Sequence, residues 1–296
     1  MDFRQLEVFL SVVDAGGFSR AGEKLFLTQP TISSNIAALE NELGQRLLER
    51  GGKEIRPTEA GKRFYGYARR LLTLRNEALA AMRGEVATCT VDIAASSAPA
   101  QYLLPGLIAA YHQLHPEISF NILRADSADV PRRLRSHEAE LGFSGSAEPD
   151  DGCVYLPLAE DRLALILPDT PEYRALLQTE APLSALLRMP LISREPGSGT
   201  RREFERYLRQ HFPDLKPQVI AEMDDPETIK RAVAAGLGVA VLSARAAADY
   251  VGFGALLSYP LDDAATRRLY LVQRKKDILS PAAQSFADFV SRQKDV

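Results

Sequence analysis

Between Glu59 and about Glu85 the chain contains no proline, and Phe64, Tyr67, Leu71, Leu74, Ala78 and Ala81 fall at alternating steps of three and four. That spacing is the apolar seam of a single long helix. It separates a compact stretch of short helical patterns from a much longer stretch with a different rhythm. At roughly 100 to 200 residues per domain, 296 residues accommodate two folding units, and 46% apolar content lets each bury a core. A helix packed on its own domain would carry the same seam. The long polar flanks and the position between two units favour pairing with a second copy, which makes the six seam residues the expected dimerisation contacts.

The first 44 residues hold three helical patterns: Leu6, Phe9, Leu10 and Val13; Ala21 to Leu25; and Ile32, Ile36, Leu39 and Leu43. Ser19, after Gly16-Gly17-Phe18, is the expected cap of the second helix. Thr28 is the expected cap of the third, with Pro30 tolerated in its first turn. Two short helices joined by about two residues predict a helix-turn-helix. In the third helix the apolar stripe faces inward, so Pro30, Ser34, Ala37 and Asn41 face outward. Thr28, Gln29, Thr31, Ser33, Ser34 and Asn35 supply donors, acceptors and methyls suited to base edges and phosphates. A solvated helix face has the same composition, and the neighbouring segment weighs against that blander reading. Arg46 to Thr58 reads as a hairpin with Gly51-Gly52 at its tip and Lys53 and Arg56 beside it, a wing over a phosphate backbone.

Charge supports a polyanionic partner. Residues 1–85 carry thirteen Lys and Arg against eleven Asp and Glu, although the whole chain stands at -3. Residues 46–70 concentrate eight basic side chains against three acidic ones.

Beyond residue 88 short strands alternate with helices. Strands are expected at Val91–Ser96, Ile118–Leu123, Glu140–Ser144, Leu163–Leu167, Leu191–Ser193, Val219–Glu222 and Val239–Leu242. Helices are expected at Gln101–Leu114, Ser127–Arg135, Thr200–His211 and Glu227–Ala235. This alternation predicts α/β lobes with mainly parallel sheets. Asp161–Pro168 and Arg267–Gln273 look like crossings between lobes, giving one lobe of about 89–161 plus 268–296 and another of about 162–267. A small ligand binds most readily in a cleft between two such lobes.

Other chemistry is weakly supported. Cys89 and Cys153 have no ligand spacing, and His112 and His115 lack an evident third partner, so no metal or disulfide framework is expected. Gly197-Ser198-Gly199-Thr200-Arg201 lacks the phosphate-cradle spacing, and Gly236-Leu237-Gly238 lacks a dinucleotide fingerprint, so no nucleotide cofactor is expected. No Gly-x-Ser-x-Gly elbow is present. Neither a leader pattern nor eighteen consecutive apolar residues occurs, which points to a reducing cytoplasm and away from a membrane.

Phe18-Ser19-Arg20-Ala21-Gly22-Glu23-Lys24-Leu25, Leu27-Thr28-Gln29-Pro30-Thr31-Ile32-Ser33, Leu39-Glu40-Asn41-Glu42-Leu43-Gly44 and Pro57-Thr58-Glu59-Ala60-Gly61 closely resemble the LysR-type transcriptional regulators of bacteria. The resemblance covers essentially the whole chain. It implies an α+β multidomain protein: a winged helix-turn-helix (1–58), a coiled-coil linker helix (59–87) and a two-lobed α/β effector domain (88–296) similar to type 2 periplasmic solute-binding proteins. It implies DNA contacts from Ser19, Arg20, Thr28, Gln29, Pro30, Thr31, Ser33, Ser34 and Asn35, with Arg50, Lys53 and Arg56 on the wing and phosphates. Gly22 departs from the family's usual alanine, at a cost of up to about 1 kcal/mol to that helix. Ser34-Asn35 departs from longer side chains, leaving base preference open.

In the effector half, Ala95 to Pro99, Phe143 to Gly145 and Arg194 to Arg201 resemble the segments lining the family's inter-lobe site, which implies effector contacts from Ser96, Ser97, Ala98, Pro99, Ser144, Gly197, Ser198, Gly199 and Thr200. Hydroxyls and helix N-termini there suit an anion, although serines that only cap helices would read alike. The resemblance is greatest to the branch sensing sulfur and selenium oxyanions, which shades into carboxylate sensors. It further implies a dimer of dimers on promoter DNA, with RNA polymerase as a further partner. Two alternatives remain: a cytoplasmic anion receptor or enzyme with an N-terminal oligomerisation module, and an architectural protein that coats DNA. Preference for a promoter over random duplex at matched salt separates the regulator from both.

Overall fold

The structure is a computed structural model that describes residues 1–49, 55–83, 89–147, 152–262, 265–275 and 279–293. Helix α1 (Phe3–Ala15) starts with a reciprocal cap between Asp2 and Gln5 and stops at Gly16, whose φ of 63° suits a residue without a Cβ. Gly17 is extended, so α2 (Phe18–Leu25) begins one residue later. Ser19 therefore lies inside α2 and is not its cap, a correction that follows from the glycine pair completing the turn first. Helix α3 (Gln29–Leu43) begins where the caps predict: Thr28 Oγ1 accepts the Thr31 amide and proline occupies the first turn. Leu6, Phe9, Val12, Ala21, Ile32, Ile36 and Leu39 form the buried core of this unit.

Strands β1 (Leu48–Glu49) and β2 (Arg56–Pro57) pair antiparallel as the base of the wing. Helix α4 (Glu59–Arg83) follows, with Thr58 Oγ1 accepting the Gly61 amide at its start. One face of α4 packs on the N-terminal unit: Phe64 lies 5.3 Å from Phe9, and Arg75 pairs with Glu7 at 3.2 Å. Another face meets the C-terminal unit. Its Gly66 abuts the His137 backbone so closely that a Cβ would collide with it, Tyr67 packs against the His137 ring at 4.0 Å, and Arg69 pairs with Asp92 at 2.6 Å.

The C-terminal unit is built on a nine-stranded sheet. Its strands are β3 (Cys89–Ser96), β4 (Ile118–Ala125), β5 (Leu141–Ser144), β6 (Cys153–Pro168), β7 (Leu191–Arg194), β8 (Val219–Met223), β9 (Val239–Ser243), β10 (Leu256–Pro260) and β11 (Thr266–Arg274). They run in the order β4-β3-β5-β11-β6-β9-β7-β8, with β10 also on β6. The 16-residue β6 passes through both lobes: Cys153 to Arg162 pair with β11, and Leu163 to Ile166 pair with β9. Antiparallel pairs also join β11 to β5 and β10 to β6, and the parallel pairs are β3 with β4 and β5 in one lobe and β7 with β8 and β9 in the other. Parallel neighbours need crossover connections, which the helices provide.

The expected Gln101–Leu114 helix is two helices, α5 (Ser97–Tyr102) and α6 (Leu104–Leu114), because Pro105 restarts the turn. Helix α7 (Val130–Arg135) begins after Asp126 has accepted the Asp129 amide, so Ser127 stays in the loop. Short helices α8 (Pro171–Gln178) and α9 (Leu183–Leu186) precede α10 (Gly199–His211), α11 (Pro226–Ala234) and α12 (Ala244–Gly252) in the second lobe. Helix α13 (Pro281–Arg292) returns to the first, where Phe286 packs against Tyr111 at 5.0 Å and Phe120 at 4.8 Å. Among the described residues, no helix is long and apolar enough to cross a membrane.

Candidate functional site

Two surfaces gather the residues singled out in the sequence. The first is the start of α3. Burial of Ile32, Ile36 and Leu39 turns Thr28, Gln29, Pro30, Thr31 and Ser34 outward into solvent, with Ser33 and Asn35 half-buried beside them. Ser19 and Arg20 of α2 are exposed next to this edge, and the Ser19 hydroxyl donates to Gln29 Oε1 at 3.4 Å. Thr28 and Thr31 hydroxyls meet at 2.8 Å, and Asn35 donates to the Thr31 carbonyl at 2.8 Å. Gln29, Thr31 and Asn35 are thus preset by local bonds, whereas Ser34 is exposed.

The pose of α3 relative to the wing is set by Glu40, whose Oε1 accepts the Leu47 and Leu48 amides at 2.8 and 3.1 Å. Sequence reasoning assigns Glu40 no such part, because its partners lie across a turn with no local signature. Arg56 is exposed on β2, while Arg50 and Lys53 lie outside the described residues. Gly22 sits where a Cβ would stand 2.6 Å from the Leu27 carbonyl, so the tight α2–α3 turn gives this departure a local reason.

The long seam divides between two partners. Phe64 is drawn into the N-terminal core, a correction to its place in the outward stripe, because Phe9 lies against it. Tyr67, Leu71 and Leu74 remain 49%, 39% and 58% exposed. These three border a cavity of about 350 Å³ between α4 and the first lobe. Ala78 is exposed, and the Ala81 side chain lies outside what is described. At the same junction Arg70 Nη1 stands 3.0 Å from His137 Nδ1. Burial first, then Arg274 and Arg70, push the His137 pKa down from 6.5 to about 4.

The second surface is the narrow cleft between lobes, a space of about 10 Å³. Ser96, Ser97 and Ala98 border it from the end of β3, and Ser198, Gly199 and Thr200 border it from the start of α10. Pro99 is buried at the base of α5, and Gly197 takes a φ of 92° facing Asp126. Individual hydroxyls have distinct tasks. Ser96 Oγ accepts the Gly145 amide at 3.0 Å, and Ser198 Oγ caps α10 by accepting the Arg201 amide. Ser144 does not reach the cleft: it is fully buried and donates to the Ser146 carbonyl at 2.7 Å, because the β5 turn closes over it.

Two arginines of the cleft fall outside the expected effector contacts. Arg194, 6% exposed, pairs with Glu195 at 2.7 Å and reaches across the lobes to Ser97 Oγ at 3.3 Å. Arg267, 7% exposed, pairs with the buried Asp161 at 2.8 Å. Asp126 and Ser127 complete the wall beside Glu195. Arg267 stands beside Arg268 in the crossing strand, and no local pattern sets it apart from its neighbour. A second inter-lobe tie joins Arg124 to Asp225 at 3.2 Å.

Residues 3–62 match the bacterial regulatory helix-turn-helix protein, lysR family, and residues 85–295 match the LysR substrate binding domain. The uncharacterized HTH-type transcriptional regulator YeiE of Escherichia coli K12 is 31% identical over 288 residues, 97% of this chain and 96% of that one. ArgP from Mycobacterium tuberculosis superposes with a TM-score of 0.74 at 24% identity, over 99% of this chain and 97% of the other. Full-length CbnR complexed with its target DNA superposes at 0.68 and 23% identity, over 99% and 100%.

Proposed function

Because the chain belongs to the lysR family of bacterial regulatory helix-turn-helix proteins, we propose that it couples a small anionic metabolite in its inter-lobe cleft to the way it holds and bends promoter DNA. It is a DNA-binding transcriptional regulator with an effector-binding domain. In our reading α3 enters a major groove through Gln29, Pro30, Thr31, Ser33, Ser34 and Asn35, flanked by Thr28, Ser19 and Arg20. Arg56, with Arg50 and Lys53, meets phosphates from the wing. The division is 1–58 for reading DNA, 59–87 for dimerisation and 88–296 for sensing. No step of this reading is catalytic.

One observation carries the sensing half of the proposal. Buried or nearly buried hydroxyls of Ser97 and Thr200, the first turn of α10 and an arginine with an unmet donor border one narrow cleft. Such a set accepts oxyanions of sulfur or selenium, or small carboxylates. Dimers form along α4, two dimers associate through their effector domains, and the ligand favours one arrangement because its affinity differs between the two. RNA polymerase reads the resulting change in DNA bend. The cytoplasm is the compartment that suits these partners.

The test selects duplexes from a randomised pool with the full-length protein, then measures affinity for the winners against scrambled duplexes at matched salt. Sulfate, sulfite, thiosulfate, selenate and a set of carboxylates are each added with chloride held constant. We expect a strong preference for the selected sequence and a shift in affinity or bend with one anion. Equal binding to scrambled DNA refutes the regulatory reading, and indifference to every anion refutes the anion sensor.

A further inference from the structure

We propose that Arg267 is the specificity-determining contact for a compact oxyanion in the inter-lobe cleft, and that it passes occupancy directly to the strands crossing between the lobes. This rests on the reading of the cleft as an anion site and deepens it. Arg267 lies on β11 opposite Asp161 of β6, and Thr266 beside it pairs with Arg162. One residue further along, Leu163 has already joined β9 of the second lobe. The Arg267–Asp161 pair therefore ties both connecting strands where they pass from lobe to lobe.

The pair is engaged on one side and open on the other. Arg267 Nε donates to Asp161 Oδ2 at 2.8 Å, and the Ser243 hydroxyl donates to Asp161 Oδ1 at 2.5 Å. Both carboxylate oxygens are therefore occupied, and the Asp161 side chain is fully buried. Arg267 Nη2 is buried and has no hydrogen-bond partner. An unmet charge-assisted donor in a low-dielectric setting is costly, and an anion beside it removes that cost. The guanidinium faces the loop after β5, where a Cβ on Gly145 would stand 3.1 Å from Nη1, so glycine leaves it room.

Arg194, the other buried arginine of the cleft, already serves Glu195, Ser97 and the Asp224 carbonyl. Asp126 and Glu195 also border the space, and their charges oppose an anion that lacks a direct cationic contact. The space between these groups is only about 10 Å³, room for about one water, so a ligand that enters it has to be compact and carry no side chain. Ser243 is also the cap of α12, accepting the Ala246 amide. An oxyanion on Nη2 would thus be linked through Arg267, Asp161 and Ser243 to β6, β11 and α12, so that its binding stabilises the closed pose of both lobes.

Calorimetric titration of the full-length protein with sulfate, sulfite, phosphate and acetate, chloride held constant, provides the test. Arg267→Lys keeps the charge but loses the fork. The pair Arg267→Gln with Asp161→Asn removes both charges and leaves no buried ion unpaired. We expect one oxyanion to bind the wild type at one site per chain, Arg267→Lys to weaken it by about tenfold or more while acetate changes far less, and the double variant to lose it. Cooperative thermal unfolding checks each variant's fold, and Arg267→Lys alone decides if the double variant does not fold. Unchanged oxyanion affinity in folded Arg267→Lys, or equal weakening of acetate, overturns the role of Arg267 and leaves the anion cleft standing. Failure of every anion to bind the wild type overturns the cleft reading and this inference together.

Discussion

In the proposed reading Ser34 and Arg56 occupy different parts of the surface that meets DNA, and their chemistry separates sequence choice from affinity. Ser34 is exposed on the outward side of α3 and Arg56 on the base of the wing. Ser34→Arg should change the preferred sequence, by about 1–3 kcal/mol at one base pair. Arg56→Ala should weaken all duplexes alike and lower the salt slope by about one. Selected-sequence profiles and salt titrations check both, and a uniform loss in the first variant contradicts its role. His137 makes a separate prediction about pH. It is held neutral by burial and by Arg274 and Arg70, with Tyr67 and Gly66 packed against it. Its folded pKa of about 4 lies below the ordinary 6.5, so the unfolded chain takes up the proton first. The associated stability is present above pH 6.5 and is lost as pH falls toward 4. The backbone there has a φ of 58°, a region asparagine also tolerates. His137→Asn should therefore show a flatter loss of thermal midpoint than wild type between pH 6.5 and 5, and parallel curves would sink this assignment.

Helix α4 is the element whose role depends most on its surroundings. Glycine inside a helix costs about 1 kcal/mol relative to alanine, yet Gly66 stands in the third turn where the first lobe approaches. Gly66→Leu should force α4 away from the loop at His137, and amide exchange around Glu140 should quicken without loss of either domain's cooperative unfolding. Unchanged exchange there would show that the contact does not hold the lobe in place. Legibility at this scale follows the range of the interactions. Thr28 marks the start of α3 because its cap bond closes three residues away. Ser19 misleads as a cap because the φ values of Gly16 and Gly17, rather than the hydroxyl, decide where α2 begins. The seam of α4 is visible as a period, but which of its residues face Phe9 and which face the cavity depends on two neighbouring domains.

For the whole molecule, the exposed run of Tyr67, Leu71 and Leu74 leaves apolar surface that a second copy can cover. Leu71→Glu should halve the mass of the basic dimer in sedimentation equilibrium, since a carboxylate in the seam opposes pairing. An unchanged mass refutes that seam. The sequence by itself determined the order of helical unit, long helix and α/β unit, the start of α3 and the alternation of strands and helices. Caps, turns and apolar periods act within one or two turns of the backbone, so their information is written locally. Tertiary structure alone decided which charged groups join the sequence-named hydroxyls in the cleft and which bonds those hydroxyls make. Arg267 meets Asp161 across 106 positions, and Ser96 meets Gly145 across 49. Ser144, only one residue from that contact, is turned inward. Such placements follow from strand order and from how two lobes close on each other, which no local pattern of residues specifies.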